Sequence, residues 1–385
     1  MLRLKIFSKS NLKLFLLSLI GPLLKLIHPA VNITNMYKQL QKRKMLIIMC
    51  TGLGNSIMTL PLINIIKKYY KPAILDGLVL NSNVKDCIKT TKQFDNIYIY
   101  SNFFINNIYI ILKLYIKKYD IAFLSFPTQR LKYELIPFLI NAKIIISHDY
   151  STLHPYFKFL KKSFSVLKPI NSSIHDTKQN LELLNSLNNK QIVYQKIFLD
   201  LSTKKFTNRY FQNIDQKKEK TKICIHAGCK NNTLFKQWSV IKYLELAKAL
   251  KLNINAKIIF ICGPDEKKLL KIEEIHNYNI LQSDNFENVM AVITMCDLII
   301  TNDSGIMHTA DLLRKPIITI WGGTDEKRNG PIGKNTINIT SNVSCRPCMT
   351  FTRKYDCPDV KYQCLKNIQV DTVYKAAIKL LHEMI

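Results

Sequence analysis

Met45–Cys50 reads MLIIMC, a run without a polar side chain that passes directly into Thr51-Gly52-Leu53-Gly54-Asn55. A strand that is apolar on both faces must be covered on both, which places it at the centre of a parallel sheet with helices above and below. After the turn, Ile57, Leu60, Ile63 and Ile66 recur at helical spacing, and Lys67-Lys68 closes the segment with the charge suited to a helix C-terminus. The same strand, turn and helix order recurs along the chain. Strands are expected at Ala73–Leu80, Asn96–Tyr100, Ile121–Phe126 and Lys143–Ser147, and then at Lys222–His226, Lys257–Cys262, Asp297–Thr301 and Pro316–Trp321. In the second series helices are expected at Val240–Leu250, Asp265–His276, Asn288–Cys296 and Gly305–Leu313, with Asp371–Met384 closing the chain. This order predicts an α/β protein of two Rossmann-like, doubly wound domains, 45–201 and 222–385, joined by a polar linker at 202–221. Ligands of such sheets sit at the carboxyl ends of the strands.

Charge narrows the partners. The 56 Lys+Arg against 27 Asp+Glu leave a net +29, which favours polyanions: nucleic acid, anionic lipid or a phosphorylated substrate. Part of that excess is Lys in a chain also rich in Ile and Asn, a bias that an AT-rich genome produces without function. Nucleic acid is set aside, because no basic stripe with interleaved aromatics and no known binding module is present. The distribution is more telling: twelve Lys/Arg and no acid precede Asp76. Within 1–44, Lys5, Lys9 and Lys13 repeat every four residues, and the apolar run Phe15–Leu24, broken by Gly21-Pro22, is too short to span a bilayer. His28 at the −3 position makes Ala30 a poor signal-peptide cleavage site. A basic segment lying on an anionic leaflet fits best, with a helix packed on the protein body as the alternative. Six of the ten cysteines (Cys50, Cys87, Cys224, Cys229, Cys262, Cys296) are scattered through apolar segments, the habit of reduced thiols in a cytoplasmic protein.

Four motifs carry chemistry. Gly52-Leu53-Gly54-Asn55 opens like a dinucleotide fingerprint, but Ile57 stands where its third Gly belongs, so NAD or FAD is not expected. The small residues allow a backbone to approach a ligand; a plain βα turn would look the same. Asn302-Asp303-Ser304-Gly305 follows an apolar strand and opens a helix, with His308 one turn in. With Asp303 or Ser304 as cap and Gly305 permitting close approach, the unpaired N–H groups of that helix suit a diphosphate. An ordinary N-cap is the plainer reading. His226-Ala227-Gly228-Cys229 precedes Lys236-Gln237-Trp238, where Lys236 can meet a phosphate as a point charge or simply face water. Finally, Cys345, Cys348, Cys357 and Cys364 can supply four thiolates to a structural metal, form two disulfides, or stay reduced.

Taken together, these pieces resemble glycosyltransferase family 9, the bacterial heptosyltransferases of lipopolysaccharide core synthesis. The family's G-x-G-D-x-x-x-T-L-P-x-L stretch is similar to GLGNSIMTLPLI from Gly52 to Ile63. Its H-x-G and K-x-W match His226-Ala227-Gly228 and Lys236-Gln237-Trp238, and its G-x-x-E/D matches Gly263 to Glu266. Its D-[ST]-G-x-x-H-x-A matches Asp303–Ala310, its G-x-T-D Gly322–Asp325, and its cysteine stretch Cys345-Arg346-Pro347-Cys348, Cys357-Pro358 and Cys364-Leu365.

The resemblance implies a GT-B fold, two Rossmann-like domains facing a cleft. It implies an inverting transfer of a sugar, heptose from ADP-heptose, onto a lipid-linked oligosaccharide, with no cofactor and no metal for catalysis. The enzyme would work in the cytoplasm, on the inner face of the bacterial inner membrane. Gly228, Lys236, Asp303, Ser304, Gly305 and His308 would hold the nucleotide-sugar donor, and Gly52, Gly54 and position 55 would lie on the acceptor side. The family's general base is the Asp of G-x-G-D. Here that position is Asn55, an amide that cannot take a proton at neutral pH. A protein that binds nucleotide sugar but has lost its base is therefore the alternative reading.

Overall fold

The computed structural model describes residues 41–185, 221–229, 233–263, 266–350, 357 and 362–383. The chain divides into two compact units, Met1–Lys196 and Ile197–Ile385. The basic segment up to residue 40 and the expected linker, apart from Thr221, lie outside the described residues.

The first unit holds a parallel sheet of six strands: β1 Lys44–Met49, β2 Ile74–Val79, β3 Asn96–Ile99, β4 Ile121–Leu124, β5 Ile144–Asp149 and β6 Val166–Pro169, in the order β3-β2-β1-β4-β5-β6. Helices α1 Leu53–Ile65, α2 Ser82–Thr90 and α3 Phe104–Lys117 connect the strands of its first half, and α4 Asp176–Asn185 follows β6. β1 is central because nothing in it needs water: Met45 to Met49 are all at most 1% exposed. The first acid of the chain, Asp76, is fully buried in β2 and takes Lys117 Nζ at 2.6 Å, the Tyr119 hydroxyl at 2.5 Å and the Asn96 backbone N–H at 3.0 Å.

The second unit repeats the plan. β7 Lys222–His226, β8 Lys257–Cys262, β9 Asn279–Gln282, β10 Leu298–Asn302, β11 Ile317–Ile320 and β12 Thr336–Ile339 form a parallel sheet in the order β12-β11-β10-β7-β8-β9. Its longer helices are α5 Val240–Ile254, α6 Phe286–Met295, α7 Gly305–Leu312 and α8 Val370–His382, with α5 packed on α8. Both sheets thus have the same doubly wound order, with the first and fourth strands adjacent at the centre. The order of strands reverses at that point, which is where open sheets of this kind bind their ligands.

Two expectations need correction. The segment expected as a helix over Asp265–His276 forms separate 3₁₀ turns at Leu269–Lys271 and Glu273–Asn277, with Ile272 extended between them. Only Leu269 and Ile275 are buried there, six residues apart, so no continuous helical stripe faces the core. Three strands, β6, β9 and β12, were not expected. Each is an outer strand of its sheet and is only partly buried, so none leaves a continuous apolar run in the sequence.

Candidate active site

Three neighbouring loops leave the carboxyl edge of the second sheet. β7 runs into His226-Ala227-Gly228, β10 into Asn302-Asp303-Ser304, and β11 into Gly322-Gly323-Thr324. β7 and β10 are the central pair, with Thr301 opposite His226. Buried Asn302 ties the loops together. Its Oδ1 accepts from the Trp238 backbone N–H at 3.0 Å and the Tyr243 hydroxyl at 2.9 Å, and its Nδ2 donates to the carbonyls of Ala227 at 3.2 Å and Gly228 at 3.1 Å. One amide therefore sets the path of both the H-x-G and the K-x-W segments. Trp238 is fully buried, and its indole N–H donates to the Ile368 carbonyl at 3.1 Å, just before α8. The indole of Trp321, also buried, donates to Asn338 at 3.0 Å.

Lys236 is not a solvated surface residue. Its ammonium donates to Asp303 Oδ2 at 2.6 Å, and the Thr324 hydroxyl donates to the same oxygen at 2.8 Å. The Asp303 side chain is only 7% exposed and that of Lys236 22%, which strengthens the pair relative to one in water. Neither Asp303 nor Ser304 caps α7. Ser304 occupies the N-cap position with an extended backbone but makes no side-chain cap bond. Its hydroxyl instead lies 3.1 Å from Thr301 Oγ1 and 3.4 Å from His226 Nδ1. The first N–H groups of α7, beginning at Gly305, are thus left at the positive end of the helix dipole without a side-chain cap. His308 lies one turn into α7 and is buried.

Glu266 completes the edge. Its Oε1 meets His226 Nε2 at 3.0 Å and its Oε2 accepts the Gly263 N–H at 2.8 Å. Gly228 is required beside it, since a Cβ at that position would overlap the Glu266 carboxylate. Gly322 is similarly constrained, with the Phe235 carbonyl where a Cβ would go. Burial on its own would raise the Glu266 pKa, but the charge of His226 and the hydrogen bonds from His226 and Gly263 hold it below its ordinary value. A depressed carboxyl pKa contributes stability above the unfolded value of about 4.3, and that contribution disappears as pH falls through the folded value. Glu266→Gln is expected to cost on the order of 1 kcal/mol at pH 7 and to converge with the parent in acid, once pH has fallen below the folded value. Paired melting curves at pH 7 and in acid check this; an equal loss at both would assign Glu266 a steric role only.

The cysteine segment reaches the same edge through Arg346. Its Nε donates to the Gly322 carbonyl at 2.6 Å, and its terminal nitrogen donates to the Thr324 carbonyl at 3.2 Å and to Glu326 Oε2 at 2.9 Å. Cys348 and Cys364 are buried and Cys345 and Cys357 half-buried, and among the described residues no group of three or more His, Cys, Asp or Glu side chains is placed to hold a metal ion. Cys348 packs its sulfur 3.8 Å from the Gly323 carbonyl, and Cys364 joins the apolar core, so these two act as small buried hydrophobes.

Gly52, Gly54 and Asn55 belong to the first unit, at the carboxyl end of β1. Gly52 is the N-cap of α1, and a Cβ there would meet nothing within 4 Å. Asn55, in the first turn, is half-buried. Its backbone carbonyl accepts the Thr59 hydroxyl at 3.0 Å, and no hydrogen bond of its side chain is found among the described residues. Sequence reasoning gave Asn302, Thr324, Arg346 and Glu266 no role of their own, although each stood inside a quoted motif. Glu266 and Thr324 left a signal, as fixed positions of the G-x-x-E/D and G-x-T-D stretches.

The sequence pattern of glycosyltransferase family 9 (heptosyltransferase) matches residues 110–358. The chain belongs to that family. Lipooligosaccharide heptosyltransferase 2 of Campylobacter jejuni is 28% identical over 157 residues, covering 38% of this chain and 47% of the relative, so the chain spans about half the length of that protein. Lipopolysaccharide heptosyltransferase 3 of Escherichia coli is 24% identical over 309 residues, covering 74% of this chain and 85% of the relative. Among solved structures, Escherichia coli ADP-heptose lipopolysaccharide heptosyltransferase II superposes with a TM-score of 0.69 at 16% identity, over 89% of this chain and 99% of that one. The two sheets thus follow the GT-B plan.

Proposed function

We propose that this protein is an inverting glycosyltransferase that moves heptose from ADP-heptose to a lipopolysaccharide core or related envelope glycolipid, at the cytoplasmic face of the inner membrane. The observation that carries this reading is the buried Lys236–Asp303–Thr324 cluster beside the uncapped start of α7. In the transfer, the acceptor oxygen attacks the anomeric carbon as the bond to the diphosphate breaks. Negative charge grows on the leaving diphosphate, and Lys236 with the α7 N–H groups stabilises it where it forms. Gly228, Ser304, Gly305 and His308 line the donor side; Gly52, Gly54 and Asn55 serve the acceptor. The similarity to heptosyltransferases supports the sugar, and the likeness to the ADP-heptose lipopolysaccharide heptosyltransferase II of Escherichia coli supports the nucleotide.

Calorimetric titration with ADP-heptose and with UDP-sugars, followed by turnover on a heptose-deficient lipid acceptor, tests the assignment. Tighter binding of a UDP-sugar would reassign the donor, and no binding of either would remove the transferase reading. A second reading, a donor-binding protein with impaired catalysis, is favoured by Asn55. Nucleotide-sugar binding without turnover would select it.

Membrane attachment through the basic segment is part of the same proposal. Among the described residues no helix is long and apolar enough to cross a membrane. Deleting residues 1–40 is expected to leave a folded protein that binds anionic vesicles several-fold more weakly, as a sedimentation assay reads directly. Unchanged vesicle binding would remove the segment from membrane attachment.

A further inference from the structure

Helix α3, Phe104–Lys117, reads FINNIYIILKLYIK, and its apolar side chains go nearly all the way round, yet only Ile110 and Leu114 are buried. A helix of that composition normally sits inside a core or a membrane. Here Phe103 (77% exposed), Phe104 (76%), Ile105 (83%) and Ile116 (76%) stand in solvent together with Ile108, Tyr109, Leu112 and Tyr115. At 14 residues the exposed face runs for roughly 21 Å along the surface. A contiguous apolar surface of this size marks an interaction site.

Charge identifies what it meets. From Ser101 to Lys118 there are three lysines and no acid. Lys113 and Lys118 are exposed, and the neighbouring acids are already occupied: Asp76 is buried against Lys117, and Asp120 takes Lys143 at 2.8 Å and Arg43 at 3.8 Å. A second copy of this chain would bring the same positive charge to the face. Residues 1–40, basic and without acid, would do so too. An anionic bilayer is complementary on both counts. Apolar side chains enter the acyl boundary, lysines reach the headgroups on apolar stems, and Tyr109 and Tyr115 suit the interface between the two. The most exposed cluster, Phe103 to Ile105, lies just past the carboxyl end of β3, on the edge of the sheet where β1 leads to Gly52 and Asn55.

We infer that the outer face of α3 docks the protein on anionic lipid with the acceptor-side edge of the first unit toward the membrane. The bilayer is the acceptor's source only if the protein transfers to a lipid-linked sugar, and to that extent the orientation rests on the proposed function.

The test uses the full chain and vesicles of phosphatidylglycerol with phosphatidylethanolamine, against pure phosphatidylcholine. The triple variant Ile105→Ser, Leu112→Ser and Ile116→Ser is expected to lower partition onto the anionic vesicles about tenfold or more, with ADP binding and melting temperature unchanged. Lys113→Glu with Lys118→Glu is expected to narrow the preference for anionic over zwitterionic vesicles several-fold, the remainder resting on residues 1–40, while leaving the apolar face intact. Parent-like partition of the triple variant would overturn the docking face, as would a parent dimer that the triple variant converts to monomer without loss of vesicle binding. ADP binding reports separately: its absence in a protein that still partitions counts against the transferase reading, and its presence in one that does not partition counts against α3.

Discussion

Asn55→Asp is expected to raise turnover by about 10²–10⁴-fold while leaving the affinity for the nucleotide sugar near that of the parent. The proposed function puts the family's proton acceptor at position 55, and an amide has no basic lone pair at neutral pH. The substitution carries little structural risk. Asn55 lies in the first turn of α1, a turn with no acidic residue, and a carboxylate there gains roughly 0.3–1 kcal/mol from the helix dipole. Its side chain has no hydrogen bond to lose among the described residues. Donor affinity should hold because Lys236, Asp303 and α7 belong to the other unit. Single-turnover rates for parent and variant over a range of pH decide the matter. A parent already at full rate, slowed by the carboxylate, would show that another group takes the proton.

Lys236→Ala acts on the other half of the chemistry. It removes the ammonium paired to Asp303 and leaves that carboxylate, 7% exposed, with Thr324 alone. A charge-assisted contact to a diphosphate contributes about 1.5–3 kcal/mol, and an unpaired acid beside the phosphates adds repulsion, so a loss of donor affinity of about 10²-fold is expected. Lys236→Ala combined with Asp303→Asn separates the two effects, because it removes the stranded charge without restoring the cation. Recovery of part of the affinity in the double variant marks the repulsive share. Parent-like affinity in the single variant would assign Lys236 to holding Asp303 and nothing more.

The central strands and the glycine-bearing turns were legible because burial writes itself into sequence as continuous apolar runs, as in MLIIMC and in Lys257–Cys262. The outer strands β6, β9 and β12 were not, since half-exposed strands keep polar residues and resemble loops. The segment after Gly263 misled because three lysines and three glutamates around Leu269 and Ile275 imitate a surface helix. At the site, Lys236 and Asp303 were separately visible as motif members, but their mutual pairing, 67 residues apart, belongs to the register of the sheet and not to either motif. Asn302 was passed over because an amide between a strand and an acid looks like turn chemistry; its four bonds exist only once Ala227, Gly228, Trp238 and Tyr243 have been brought to it. Of the four clustered cysteines, Cys348 and Cys364 turn inward to pack, which their spacing alone does not announce. No helix was singled out in the sequence at α3, and only the folded chain reveals which of its faces is left uncovered.

The burial of Trp238 and Trp321 has an optical consequence. They are the two tryptophans of the chain, and both lie in the second unit with fully covered indoles. Indole emission during unfolding therefore reports water entering the half that carries Lys236 and Asp303, with no contribution from the other half, whereas the far-ultraviolet dichroic signal sums over both sheets. Transitions that coincide would mean one cooperative melting event; emission that shifts at its own denaturant concentration would mean that the two halves come apart in sequence. Nucleotide added to the sample should then move the emission midpoint and leave the remaining dichroic transition in place.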